Sequence, residues 1–181
     1  MGSWGRNVIG LSSDDSILAW IGPIGLAAAA GTGLIVDSTS QVTGHRRTLA
    51  DWVEAGPNLE ELAPGRRGIA SIPAGPIDDD QLLSVLRKLS NSWPAVVLRL
   101  EQPLPDVPTV PYRPILPGLL APESDAVAVW QPASQVGRAQ VSGPVLPTLR
   151  RRDTIGMAMG RMPTSRRWIA SWQRVWEMPW R

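Results

Sequence analysis

The chain has 181 residues, a formal net charge of +2, no cysteine and a single histidine, His45. That length suits one domain burying about 70% of the surface its unfolded form exposes; the composition excludes disulfides, thiolate zinc sites, cysteine nucleophiles and histidine metal clusters. A serine-histidine-acid triad would have to pass through His45 in "TSQVTGHRRT", which reads as a solvated loop, and lysine chemistry falls to Lys88 alone because every other base is arginine.

The first apolar run, "NVIGLS" (7–12), predicts a strand. After it, residues 16–36 carry no charge at all. A membrane span needs about 20 helical residues to cross roughly 30 Å, whereas Gly31-Thr32-Gly33 stops a helix here after about 22 Å. A secretory signal fits badly too, since Asp14 and Asp15 stand where a basic leader belongs. The stretch is instead expected to be two buried elements. Ser12-x-x-Asp15 resembles a capping box, residues 16–30 form a helix, the glycines turn the chain, and "GLIVD" (33–37) is a strand ending at Asp37.

A further helix is expected around "TLADWVEA", ended by Gly56-Pro57, and then a strand at "GIASIP" (68–73). In "DDDQLLSVLRKLSNS" the leucines Leu82, Leu83, Leu86 and Leu89 recur at helical spacing. Asp78 to Asp80 at its start are read as an N-cap with acids complementing the helix dipole rather than as a cation site. "PAVVLRL" (94–100) is the next strand. It leads into "EQPLPDVPTVPYRPILPGLLAP", whose seven prolines in twenty-two residues predict an extended or polyproline surface arm, a rigid connection rather than a proline ligand.

"DAVAVWQ" (125–131) is expected to be a fifth strand, "ASQVGRAQVSGPVLPTL" a helix broken near Gly143-Pro144, "LRRRD" (149–153) a solvated turn, and "TIGMAMG" (154–160) a sixth strand. Charge divides the chain: residues 1–137 carry nine bases against fourteen acids, residues 138–181 nine against two. In the tail "SRRWIASWQRVWEMPWR", Trp168, Trp172 and Trp176 lie at four-residue spacing along a helix that Pro179 stops. Two readings stay open. The indoles pack into the core, or Arg166, Arg167, Trp168, Trp172, Arg174, Trp176 and Trp180 form a face for a protein partner or an anionic membrane.

Apolar runs that are continuous rather than alternating, separated by helices, predict an α/β three-layer sandwich. Its sheet is expected to be mainly parallel, with about six strands, in a P-loop-like or Rossmann-like arrangement. The expected division is an α/β domain over residues 1–163, with the proline-rich loop at 101–122, and a C-terminal helix over 164–181.

The succession "VIG", "LIVDSTSQ", "RTLADWVEAGPNLEEL", "GRRGIASIPAGPIDDDQLLSVLRKL", "AVVLRL" and "DAVAVWQPASQVGRAQVSGPVL" resembles the MinD/ParA-type deviant P-loop ATPases. The likeness is to their CpaE/TadZ-like branch, known from Tad pilus assembly and actinobacterial septum-site proteins. The resemblance implies that the loop Ser12, Ser13, Asp14, Asp15 and Ser16 stands at the phosphate-binding position. It lacks the glycines and the lysine that this loop requires and carries two carboxylates that would repel phosphate. Asp37 matches the aspartate after the second strand, while Arg99 and Leu100 stand where a magnesium-linked aspartate would be.

The expectation is therefore a pseudo-ATPase with no cofactor and no metal. It would be a scaffold or adaptor at the cytoplasmic face of an envelope machine, in a homo- or hetero-oligomer, with protein partners and a peripheral membrane contact through the C-terminal helix. Nucleic acid is the weaker partner for its arginines. The alternatives are a Rossmann-like enzyme or binder acting on a nucleotide-containing ligand, and a structural subunit of a membrane complex anchored by residues 16–36.

Overall fold

A computed structural model describes residues 4, 6–39, 47–56, 68–114, 128–131, 144–147, 149–159 and 161–180. His45, residues 115–122 of the proline-rich segment and residues 132–143 lie outside them. Seven strands form one sheet: β1 (Val8–Ser12), β2 (Thr32–Asp37), β3 (Gly68–Pro73), β4 (Val96–Leu100), β5 (Thr109–Pro114), β6 (Ala128–Gln131) and β7 (Val145–Pro147). Their order is β3-β2-β4-β1-β5-β6-β7, and every pairing is parallel. The helices are α1 (Ser16–Ala30), α2 (Leu49–Glu54), α3 (Asp79–Ser92), α4 (Arg151–Ala158) and α5 (Arg166–Glu177).

Alternate residues of each inner strand feed opposite layers, which is why the strands read as unbroken apolar runs. Val96, Leu98 and Leu100 of β4, with Leu34 and Val36 of β2, pack on Leu82, Leu86 and Leu89 of α3 and on Trp52 of α2. On the other face, Ile9, Leu11, Ile35, Val97, Val110 and Tyr112 meet α1 and the tryptophans of α5. The chain is thus a three-layer, Rossmann-like α/β sandwich.

Residues 16–36 divide as expected: α1 ends at Ala30, Gly31 takes φ 80° as its C-cap, and β2 starts at Thr32. The left-handed backbone at residue 31 is where glycine is needed. Among the described residues no helix is long and apolar enough to cross a membrane, and residues 16–36 divide between α1 and β2. Asp78 caps α3 by accepting from the Gln81 amide at 2.8 Å, and Thr48 with Asp51 forms a reciprocal capping box on α2.

Three expectations are corrected. Residues 109–114 are not a surface arm but strand β5, paired with β1 at the centre of the sheet, with Val110 and Tyr112 buried. "TIGMAMG" is not a strand: residues 151–158 are α4, because Asp153 and Met157, four apart, are the positions it buries. That helix also absorbs most of the turn expected at 149–153. Val145–Pro147, expected within a broken helix, forms β7 beside β6.

Candidate functional site

β1 lies at the middle of the sheet, and the chain builds outward from it in both directions: β2 and β3 on the β4 side, β5 to β7 on the other. Such a reversal opens a crevice at the carboxyl ends of the strands, where α/β proteins of this kind place ligands. The loop Ser12–Ser16 and the amino end of α1 sit there.

Free N–H groups at a helix start attract anions. In α1 they are engaged by the chain itself. Asp15 is the N-cap, and its Oδ1 accepts from the Ile17 and Leu18 amides, each at 2.9 Å. Ser12, expected to be the capping residue, is instead the buried last residue of β1. Ser13 Oγ accepts from the Asp15 amide at 3.2 Å, fixing the loop. Asp14 extends into solvent and meets Arg113 Nε of β5 at 3.5 Å. Ser16 opens the helix and is exposed.

Asp37 ends β2 in register with Arg99 of β4. Their side chains therefore project from the same face, and Arg99 NH1 donates to Asp37 Oδ2 at 3.0 Å. The Thr39 amide and hydroxyl donate to the other carboxylate oxygen at 3.0 and 2.7 Å, and Ser38 Oγ donates to the Arg99 carbonyl at 2.7 Å. Asp37 is thus held by a guanidinium. The pair is partly exposed, which keeps its net worth to about 1 kcal/mol or less. Among the described residues no group of three or more acids or histidines is arranged to hold a metal.

Tyr112, inside the proline-rich segment, lies beneath this crevice. Burial first, and the negative charge of Asp15 second, push its phenol far above the usual range, so it stays neutral. Sequence reasoning missed it because the prolines around it suggested exposure. The one available signal was the alternation of Val110 and Tyr112 across Pro111.

The tail residues divide by side. Trp168 and Trp172 are fully buried, Trp172 making edge contacts with Tyr112 at 5.1 Å and Trp168 at 5.7 Å between centroids. Trp176 Nε1 donates to the Leu26 carbonyl at 2.9 Å, and Trp180 Nε1 to the Val175 carbonyl at 2.6 Å. Arg166, Arg167 and Arg174 are exposed. The indoles therefore turn into the core with α1 while the arginines turn out, so the seven residues do not make one outward face. Trp168, Trp172 and Val175 of α5 lie in one core cluster with α1 and the sheet.

A groove of about 750 Å³ opens at the opposite, amino-terminal edge of the sheet, lined by Arg6, Gln173, Trp176 and Glu177 among others. It is remote from the Ser12–Ser16 loop, and among its described lining residues there is no serine, threonine, tyrosine, lysine or histidine. Compared with protein-family models, curated proteins and solved structures, the chain matches none.

Proposed function

We propose that the chain is a non-catalytic α/β scaffold or adaptor, a degenerate form of the MinD/ParA-type ATPases, which serves the assembly or positioning of a cell-envelope machine at the cytoplasmic side through protein partners. The observation that carries this reading is the Asp15 carboxylate seated on the first free amides of α1. A phosphate entering there would displace a cap worth about 1 kcal/mol. It would also meet Asp14 beside it, a carboxylate offset by Arg113 at 3.5 Å, with no lysine to meet the phosphate, since Lys88 lies on α3. The Asp37–Arg99 pair supports the same reading at the neighbouring strand end, because a cation would have to compete with a guanidinium already in place. A Rossmann-like nucleotide binder would need the same amides and is disfavoured by the same carboxylate. Calorimetric titration with ATP and magnesium tests the proposal: no heat of binding is expected up to about 1 mM nucleotide, and a dissociation constant in the micromolar range overturns it.

A further inference from the structure

On the described surface, exposed apolar side chains and exposed arginines that form no salt bridge coincide around α4. Ile155, Met159 and Met162 are 47%, 68% and 41% exposed, on α4 and the turn after it. Arg151, Ile155 and Met159 follow one another at four-residue steps along one side of the helix, opposite the buried Asp153 and Met157. The following segment is tied back onto α4: the Arg161 amide donates to the Gly156 carbonyl at 2.8 Å, and the Thr164 amide and hydroxyl donate to Asp153 Oδ1 at 2.9 and 2.8 Å. Met162 and the start of α5 are thereby held beside the stripe.

At the start of α4, in the segment after it and in the first turn of α5 stand Arg150, Arg151, Arg152, Arg161, Arg166 and Arg167, all exposed, and none forms a salt bridge among the described residues. Asp153, the acid within this stretch, is buried and turned to Thr164. These arginines also crowd the amino ends of α4 and α5, where the helix dipole already presents positive charge. Helices α1, α2 and α3 each have a side-chain cap hydrogen bond at that end; α4, with Arg150 as N-cap, and α5, with Ser165, have none. Asp153 in the first turn of α4 offsets part of this charge, and anionic groups from outside would offset the rest.

We infer that this Met/Ile stripe ringed by arginines docks an acidic segment of a protein partner, one that presents apolar side chains between its carboxylates. Guanidinium forks pair with carboxylates in two-point geometry, and unbranched thioethers adapt to varied apolar partners. A nucleic-acid backbone would use the arginines but leave the thioethers without a partner. A bilayer surface draws on aromatic residues at headgroup depth, and the tryptophans of this region face inward or bind backbone carbonyls. The inference rests on the reading of the chain as a binding module, and the two fail separately, because nucleotide titration does not involve this face.

The test is fluorescence anisotropy with a labelled synthetic helix of about twelve residues carrying glutamate and leucine at helical spacing. Controls are the same peptide with lysine for glutamate, phosphatidylglycerol vesicles and a single-stranded oligonucleotide. Saturable micromolar binding of the acidic peptide alone is expected. It should weaken about tenfold or more in R151E/R152E and again in M159S/M162S, with the native circular dichroism spectrum retained because all four side chains are exposed. Binding that both double variants leave intact overturns the inference. So does failure of the acidic peptide, including the case in which vesicles or the oligonucleotide bind through these residues instead.

Discussion

Replacing Gly25 by alanine sets two effects of opposite sign against each other. In the interior of α1, alanine is favoured over glycine by about 1 kcal/mol through backbone entropy alone. The new Cβ would stand 2.3 Å from Trp172 Nε1, 2.4 Å from Trp172 Cε2 and 2.8 Å from Trp168 Cη2, well inside contact distance. Neither ring can step aside cheaply, since Trp172 is wedged between Tyr112 and Trp168 and both indoles are fully buried. Overpacking of this kind costs about 3 kcal/mol, so the net effect is a loss of about 2 kcal/mol. With an m-value of about 2 kcal/mol/M, the urea midpoint falls by roughly 1 M, and the melting temperature by about 4–8 °C. Gly156→Ala in α4 is the matched control. Its added carbon meets nothing nearer than Arg161 Cβ at 3.8 Å, so the propensity gain stands and the midpoint rises. Equal or greater stability of Gly25→Ala would refute the packing of α5 on α1 described above.

Asp15→Ala removes the acceptor of two amides and should cost about 1 kcal/mol in urea unfolding, while Asp15→Ser should recover most of it. A double-mutant cycle of Asp37→Asn and Arg99→Met should give a coupling of about 0.5–1 kcal/mol, reduced by added salt because both groups are partly exposed. Burial of Asp153 works against its ionisation, but the amide and hydroxyl of Thr164, then Arg152 and Arg150, outweigh it and hold its pKa below the usual carboxylate value. The folded state therefore gains from the charged form above about pH 4 and loses that gain as pH falls through the depressed value. Unfolding midpoints measured from pH 6 downward should drop less steeply in Asp153→Asn than in the parent.

Much of the sheet was legible because the physics was local. β1, β2, β3 and β4 are short apolar runs bounded by glycine, proline or a cap, and the charge-free stretch split where Gly31 demanded it. β5 was hidden by a conflict of levels. Pro108, Pro111 and Pro114 argue against a central strand, yet their fixed φ suits extended backbone, and burial of Val110 and Tyr112 beside β1 decides the outcome. α4 was hidden by composition, since "TIGMAMG" looks apolar throughout; only the spacing of Asp153 and Met157 marks its period. At the candidate site the loop residues were placed correctly at the amino end of α1. What remained unreadable was which oxygen would reach the amides, because Ser12 and Asp15 both qualify by type. The Asp37–Arg99 pair was unreadable for another reason: strand register joins residues 62 apart in sequence.

The hydrogen bond from Trp176 to the Leu26 carbonyl joins residues 150 apart. During synthesis, α1 leaves the ribosome with its apolar side uncovered, and the helix that covers it is made after the described strands of the sheet. At about 5–20 residues per second the exposed interval is on the order of 10 to 30 seconds. Until α5 arrives, a charge-free helix is open to whatever binds greasy segments, and the nascent chain has to be kept from aggregating through that interval.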